Sequence, residues 1–187
     1  AYSELWQTVP VYAMRSARDF LPLFYNRSPR NPPGERFSCC NAGYILLGWI
    51  AERVSGMLFP ELVREKIFKP CGMLDAGFFE SSRLPGRCAL GYLEGEGSLH
   101  TNLFAVPPLG GGDGGMYLST QDWSAFWDAL LGERLLRNAL LGDMLSSRIA
   151  SDPRPGRFFG LGVWLFNSPL PPAAAALGWL PGAEVAS

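Results

Sequence analysis

The 187-residue chain has few of the side chains from which metal sites and polyanion-binding surfaces are built. It contains one histidine, His100, and four cysteines without a CxxC pair, whereas a structural zinc site typically takes four such ligands at paired spacings. Lys and Arg total 16 against 17 Asp and Glu, a net charge of −1, which gives no electrostatic attraction to nucleic acid. The longest apolar run, 42–51, is well short of the ~20 residues that cross a bilayer. The composition therefore predicts no metal, no nucleic-acid partner and no membrane span.

Apolar residues nevertheless make up 48% of the chain, which is ample for a folded core. The clearest apolar segment is 42–54, which follows Asn41 at the position expected for a helix N-cap and is apolar nearly all round. Such a pattern predicts a buried helix, with Leu46 and Ile50 packed inward and Gly56 as its C-terminal stop.

Two further helices are indicated by proline and capping signals. One has Pro60 in its first turn and is expected to end before Pro70, because proline lacks the N–H that a helix interior needs. The other begins at the capping sequence 119–122. Its apolar stripe, which includes Trp123 and Trp127, is expected to pack into the core.

Strands are expected only towards the end of the chain. Residues 1–36 predict helix fragments interrupted by prolines, and the region 71–116 is expected to be mainly loop. Residues 138–145 fit a short fourth helix, whereas 157–166 alternate apolar residues with glycine, which predicts one strand. The chain is thus expected to be α+β, with most of its regular structure helical.

Residues 110–115 formally match the GxGxxG pattern of dinucleotide-binding proteins. That function requires a strand before the glycines and a helix opening directly after them. Here Pro107 and Pro108 precede the glycines, which opposes a central strand, and 116–118 do not begin a helix. The glycine-rich segment is therefore predicted to be a tight turn, and no nucleotide cofactor is expected.

His100 lies in the polar segment 96–102, which is expected to be a solvated loop. A lone histidine becomes catalytic when a nucleophile approaches it in space, and Cys39 or Cys40 could provide the thiolate of such a pair. A Cys–His hydrolase is therefore kept as one alternative function.

The segment 33–48 reads PGERFSCCNAGYILLG. It resembles the second motif region, PGxxFxYSNxGYxLLG, of the serine β-lactamase-like hydrolases, which include class C β-lactamases, DD-carboxypeptidases and related esterases. Residues 68–73, 112–122 and 178–182 resemble further motifs of this family, in the same order along the chain. The resemblance covers most of the chain.

This resemblance implies roles for particular residues. In the family, a serine in an S-x-x-K motif attacks the acyl carbon and the lysine helps to remove its proton. The tyrosine of a Y-x-N motif passes a proton to the leaving group, and the asparagine binds the substrate amide. The tyrosine position is Cys39 here, whereas Asn41 is retained. Gly178 belongs to the third motif, whose strand holds the acyl group, and Ala176 stands at its histidine position.

The resemblance also implies a single partial domain over 1–187, incomplete at both ends. It would contain the helical region and the glycine-rich loop in 1–150, and part of the antiparallel sheet with the third motif in 151–187. The parent family cleaves amide or ester bonds of small-molecule or peptide substrates through an acyl-serine intermediate. Because no S-x-x-K motif occurs, the chain alone, as a fragment or degenerate member, is expected to be inactive. The alternative is a non-catalytic binding module that retains the cleft.

The same alignment predicts how the second motif is arranged. The side chains of Cys39 and Asn41 should face one cleft, bordered by Gly178 and the turn 110–115, while Cys40 packs inward. Because adjacent cysteines rarely meet the geometry of a disulfide, both thiols should be free.

Overall fold

The computed structural model combines helices with antiparallel strands, so the α+β prediction is confirmed. It describes four stretches of the chain, which are 9–95, 97–104, 106–151 and 156–166. Within these stretches, no helix has the length and apolar character needed to cross a membrane. Two compact units are formed, and each includes two separate parts of the sequence. The first unit contains Ala1–Arg27 and Cys40–Ala129, and the second contains Ser28–Cys39 and Leu130–Ser187.

The first described residues of the first unit form short helical pieces, as expected, with Pro10 just before the first piece and Pro22 inside the last. These pieces are a 3-10 turn (Val11–Ala13), helix α1 (Ala17–Phe20) and a second 3-10 turn (Leu21–Leu23). Helix α1 begins at the N-cap Ser16. The Asp19 carboxylate accepts hydrogen bonds from the Ser16 N–H at 2.8 Å and from its Oγ at 2.9 Å. Phe20 packs with Met14 and Ile45 in a small core.

Helix α2 (Asn41–Ser55) follows in the first unit. Its N-cap is Cys40, which has extended backbone angles, so Asn41 is the first helical residue rather than the predicted cap. The Cys40 carbonyl accepts the Gly43 N–H at 3.1 Å. The helix ends at Gly56, as predicted, where a φ of 71° lies in the left-handed region that favours glycine.

Burial along α2 is one-sided. Ile45 and Gly48 are buried, whereas Leu46 and Ile50 are exposed. The prediction that Leu46 and Ile50 pack inward is therefore wrong. Helix α2 packs against α1 and α3 (Phe59–Val63), and these described neighbours leave its other side uncovered.

Helix α3 is followed without a break by a π-helical turn (Arg64–Phe68) and a short helix α4 (Lys69–Cys71). The helical segment therefore passes Pro70, where the sequence predicts it to end. The wider π turn shifts the hydrogen-bond register, so that Pro70 falls in the first turn of α4, where a missing N–H costs little. Gly72, with a φ of 71°, then ends α4.

The region 71–116 is mainly loop, but it also contains a β-hairpin that the sequence does not predict. Strands β1 (Tyr92–Gly95) and β2 (Ser98–Thr101) pair antiparallel, with Gly97 at a φ of 79° between them. Strands are thus not confined to the end of the chain, and His100 lies on β2 rather than in a loop. One 3-10 turn (Ser81–Arg83) precedes the hairpin, and another (Asn102–Phe104) follows it.

Helix α5 (Thr120–Leu131) begins at the predicted capping sequence. The Ser119 N–H donates to the Asp122 carboxylate at 3.1 Å, and the Asp122 N–H donates to the Ser119 Oγ at 3.2 Å. These two bonds form a reciprocal capping box. The Asp75 N–H also donates to the Asp122 carboxylate, at 3.4 Å, so the cap ties α5 to the loop after α4.

The aromatic residues of α5 pack against one another. The Trp123 ring stacks on Phe126 with centroids 5.8 Å apart and meets the Trp127 ring edge-on at 5.7 Å. Trp127 is half-buried but Trp123 is exposed, so the predicted core position of Trp123 is wrong. The rings of Trp123, Phe126 and Trp127 shield one another in part from water.

The second unit contains helix α6 (Asn138–Met144), which confirms the predicted fourth helix, and a three-stranded antiparallel sheet in the order β3–β4–β5. The strands are β3 (Ile149–Ala150), β4 (Arg157–Phe159) and β5 (Trp164–Phe166). Residues 157–166 therefore form a hairpin, not the single strand predicted. The Gly160 N–H bonds to the Val163 carbonyl at 2.8 Å and Gly162 has a φ of 86°, so glycine turns the chain in mid-segment.

Phe37 packs on this sheet. Its ring centroid lies 5.0 Å from that of Phe159 and 5.1 Å from that of Trp164. Aromatic pairs at this separation are favourable beyond the area they bury. The contact anchors the segment that leads to Cys39 within the second unit.

The buried carboxylate of Asp122, which is 3% exposed, predicts a stability that depends on pH. Burial by itself raises the pKa of Asp122, but the hydrogen bonds from Ser119 and the Asp75 N–H outweigh it and hold the pKa below its usual value. A depressed folded-state pKa contributes stability that is present above the unfolded value and is lost as the pH falls through the folded value. We expect the free energy of unfolding to decrease as the pH falls below about 4.

The variant Asp122→Asn should reduce the free energy of unfolding at pH 7 by roughly 1–2 kcal/mol and should flatten its decline at acid pH. Asp128→Asn, on the exposed side of the same helix, is the control and should change stability by less than about 0.5 kcal/mol. Urea unfolding of both variants at pH 7 and at pH 3 measures the difference. If the free energy of unfolding of Asp122→Asn falls between pH 7 and pH 3 as much as that of the parent chain, the Asp122 carboxylate is not the source of the pH dependence.

Candidate functional site

A cavity of about 570 Å³ lies in the first unit, within the ~300–1,000 Å³ range of small-molecule sites. Helix α2, the start of α3 and the glycine-rich turn 110–115 form much of its wall. Helix α2 contributes Asn41, Ile45 and Glu52. Steps of four and seven residues place these three side chains on one face of the helix, which is the face turned towards the rest of the unit.

Asn41 presents a polar group to this cavity. It lies in the first turn of α2 and is exposed. Its side-chain amide forms no hydrogen bond with another described residue. A carboxamide offers two N–H donors and a carbonyl acceptor, so Asn41 is able to bind the amide group of a ligand.

Two backbone hydrogen bonds close the glycine-rich turn. The Gly111 N–H donates to the Gly114 carbonyl at 2.8 Å, and the Gly114 N–H donates to the Gly111 carbonyl at 3.2 Å. Gly114 and Gly115 have φ values of 151° and 85°, which other residues rarely adopt. The predicted tight turn is confirmed.

This turn lies directly on α2. A Cβ on Gly48 would come within 3.3 Å of the Gly112 Cα, and a Cβ on Gly112 would collide with the Tyr44 carbonyl oxygen. The two backbones approach this closely because neither carries a side chain at the contact. The contact holds the turn against α2, so that the turn and Asn41 line the same cavity.

Glu52 joins α2 to the start of α3. Its carboxylate accepts the Phe59 N–H at 2.8 Å, which is a donor without an intrahelical partner in the first turn of α3. A negative charge is also favourable at that end of a helix. Glu52 and Phe59 both line the cavity, so this bond fixes two parts of its wall to each other.

Arg15 also lines the cavity and forms an ion pair with Glu80. The hydrogen bond and positive charge of Arg15 hold the pKa of Glu80 below its usual range. The neighbouring Ser81 N–H donates to the Pro108 carbonyl at 2.8 Å. The segment that pairs with Arg15 is therefore linked to the residues just before the glycine-rich turn.

Cys39 belongs to the second unit and Cys40 to the first. Both are exposed, and no disulfide joins the four cysteines of the chain, so the predicted free thiols are confirmed. The prediction that Cys40 packs inward is wrong. Cys40 is the extended N-cap residue of α2 and precedes the helical turns that make the buried contacts. A catalytic role for Cys39 stays a prediction.

His100 is exposed on β2, as expected for a solvated histidine, and its Nε2 lies 2.7 Å from the Ser98 Oγ. In the described part of the chain, the hydrogen-bond partner of this ring is therefore a serine on the same strand rather than a cysteine. This finding does not favour the Cys–His alternative. Gly178 lies outside the described residues, so its position beside the cleft stays a prediction.

The cavity offers groups that can bind a ligand. The Asn41 amide, the Arg15 guanidinium and the glycine backbone can hold polar parts of a ligand, and Ile45 and Phe59 can cover apolar parts. Over the four described stretches, no three His, Cys, Asp or Glu side chains come together as a metal site. The arrangement can therefore bind and orient a small molecule.

Sequence reasoning misses three residues of this site. Gly48 has a usable signal, because a glycine inside an otherwise apolar helix often marks a close backbone approach. Glu52 has a weaker signal, a carboxylate seven residues before the helix that it caps. The pairing of Arg15 with Glu80 spans 65 residues and has no local signal at all.

Comparisons with known proteins agree on one family. The Beta-lactamase family model matches residues 4–185. A D-aminopeptidase from Cereibacter sphaeroides is 34% identical over 113 residues, which cover 58% of this chain and 21% of the relative. The crystal structure of a penicillin-binding protein from Bacillus halodurans matches with 40% identity and a TM-score of 0.83, covering 87% of this chain and 50% of that one.

A third match is the octameric penicillin-binding protein homologue from Pyrococcus abyssi. It has 26% identity and a TM-score of 0.73, with coverage of 87% of this chain and 37% of that one. The matched part of this chain thus spans about a fifth of the curated D-aminopeptidase and half of the Bacillus halodurans structure.

The close contact of the turn 110–115 with α2 predicts that an alanine at Gly112 destabilises the protein. An alanine at Gly43, which is outside this contact, should have the opposite effect. Gly112→Ala should reduce the free energy of unfolding by about 2–3 kcal/mol, because the new methyl group meets the Tyr44 carbonyl. Gly43 lies in the first turn of α2, and a methyl group added there meets only the Cys40 Cβ, at 4.0 Å. Gly43→Ala should raise the free energy of unfolding by about 0.5–1 kcal/mol, because alanine favours a helix.

Thermal and urea unfolding of both variants test this contact. Gly43→Ala controls for the general effect of adding a methyl group to a glycine in this unit. Equal stabilities of Gly112→Ala and the parent chain would show that the turn does not lie against α2.

Proposed function

The chain belongs to the Beta-lactamase family and carries part of its α+β fold, and we propose that it supplies the substrate-binding wall of an amide or ester hydrolase. In the proposed reaction, a serine nucleophile attacks the acyl carbon and expels the leaving group, and water then hydrolyses the acyl-serine intermediate. No S-x-x-K motif occurs in the 187 residues. We therefore propose that this chain by itself binds a substrate without cleaving it.

The observation that supports this proposal most directly is that Asn41 and the glycine-rich turn line the same cavity. They are far apart in the sequence, and the contact of Gly48 with Gly112 brings them together. An amide side chain beside a turn whose only side chain is that of Asp113 leaves room for an extended acyl group. This arrangement supports binding of an amide or ester along the wall.

The proposed role of Asn41 is to hold the amide group next to the bond that is cleaved. Its carboxamide can accept from the N–H of a substrate amide and donate to its carbonyl oxygen. Ile45, one helical turn further along α2, lines the same cavity and can cover an apolar part of the substrate. The D-aminopeptidase name of one relative favours an amide bond beside a D-amino acid as the target.

Cys39 stands where the family has tyrosine, and we propose that this substitution removes the proton-transfer step. A thiol is shorter than a phenol and would not span the same distance to a leaving group. Gly178, in the third motif, is proposed to border the same cleft and to help hold the acyl group.

A second candidate is a non-catalytic binding module. It is favoured by a specific combination in this sequence: Asn41, which binds, is kept, whereas Cys39 replaces the residue that moves a proton. Such a protein would hold a small molecule or peptide without turnover.

We expect the 187-residue chain to hydrolyse neither nitrocefin nor D-alanine p-nitroanilide above the buffer rate, because it has no S-x-x-K serine. Intact-mass spectrometry after incubation with penicillin should show an unmodified chain. A stoichiometric penicilloyl adduct on a serine would overturn the proposed inactivity. A thiol adduct that Cys39→Ser removes would instead favour the Cys–His hydrolase.

Binding should depend on Asn41 even without turnover. Asn41→Ala should raise the Kd for D-alanine p-nitroanilide about 5- to 10-fold, which corresponds to the roughly 1–1.4 kcal/mol of one hydrogen bond. Asn26→Ala is the matched control, because Asn26 is exposed in the same unit and is not part of the cavity wall. NMR titration of each variant gives the Kd. Equal Kd values for the two variants would contradict the role of Asn41.

A further inference from the structure

The charged side chains of the cavity wall indicate which kind of ligand the cavity selects. Besides Arg15, the charged residues of the described wall are Glu52, Glu61 and Asp113. Arg15 forms an ion pair with Glu80, so a neighbouring negative charge already balances its positive charge. Three carboxylates remain, and the described wall is therefore net negative.

The three carboxylates differ in how well they can contact a ligand. Glu52 accepts the Phe59 N–H at 2.8 Å, so its carboxylate is already engaged within the wall. Glu61 is exposed, and water and salt screen its charge. Asp113 is half-buried and has the only side chain of the glycine-rich turn 110–115. A ligand that lies along this turn would therefore contact the Asp113 carboxylate.

The turn also determines where Asp113 lies relative to Asn41. Two backbone hydrogen bonds close the turn around Gly112 and Asp113. Gly112 approaches α2 at Tyr44 and Gly48, which lie about 4.5 and 10.5 Å further along the helix axis than Asn41 at a rise of about 1.5 Å per residue. An amino acid anilide is long enough to span such a distance, so one small ligand can contact both the Asn41 amide and the Asp113 carboxylate.

A half-buried carboxylate in a negative wall favours a ligand that carries positive charge. A primary ammonium group donates up to three hydrogen bonds, and its charge makes them stronger than bonds between neutral groups. An uncharged acylated amine gains no such attraction. We infer that the cavity selects amides or esters of amino acids whose α-amino group is free and protonated, and that the Asp113 carboxylate binds this ammonium group. The inference rests on the proposed function and names its substrate class.

NMR titration of the 187-residue chain with two matched probes tests this inference. The probes are D-alanine p-nitroanilide and its N-acetyl derivative, at pH 6, where an α-amino group with an ordinary pKa of about 7.7–8.0 is protonated. We expect the parent chain to bind the free amine about 10-fold more tightly. Asp113→Asn should raise the Kd for the free amine about 10-fold and leave the Kd for the acetylated probe unchanged. Asp128→Asn, an exposed position outside the cavity wall, is the matched control and should keep the preference.

Three results would overturn the inference. The first is equal Kd values for the two probes in the parent chain, a comparison that does not depend on the folding of any variant. The second is an Asp113→Asn variant that unfolds at the temperature of the parent chain and keeps the full preference for the free amine. The third is a preference that Glu61→Gln abolishes and Asp113→Asn does not, which would assign the ammonium group to Glu61.

Benzylamine separates this inference from the proposed function, because it has an ammonium group but no amide or ester. Its Kd should rise about 10-fold in Asp113→Asn and stay at the parent value in Asp128→Asn. If Asn41→Ala changes no Kd while benzylamine binding depends on Asp113, the proposed function fails and the ammonium site stands. If Asn41→Ala weakens binding of the anilide but Asp113→Asn affects neither amine, the ammonium site alone is overturned.

Discussion

The cavity of the first unit depends on the contact between two glycines, Gly48 in α2 and Gly112 in the turn 110–115. Side chains normally keep backbones apart, and here their absence allows Gly112 to reach the Tyr44 carbonyl. The turn is rigid in its own right, since two hydrogen bonds between Gly111 and Gly114 close it. A stiff turn fixed on a helix gives the cavity a wall whose position does not depend on flexible side chains, which is the usual requirement of a binding site.

Features that depend on a few neighbouring residues could be predicted from the sequence. The capping box at Ser119, the helix end at Gly56 and the tight glycine turn each follow from side-chain hydrogen bonds or backbone angles within about five residues. Burial could not be predicted in the same way. Ile50 and Trp123 have the apolar character of core residues, but they are exposed, because burial depends on which distant parts of the sequence pack against a helix.

Two local predictions failed because a competing local preference decided the structure. Pro70 stops an α-helix only if its missing N–H falls in the helix interior, and the π turn Arg64–Phe68 moves it to the start of a new helical segment. The run 157–166 is rich in strand-forming residues, but Gly160 and Gly162 turn it into a hairpin. Of the candidate site, the resemblance identified Asn41, whereas Glu52 and Arg15 required the three-dimensional contacts.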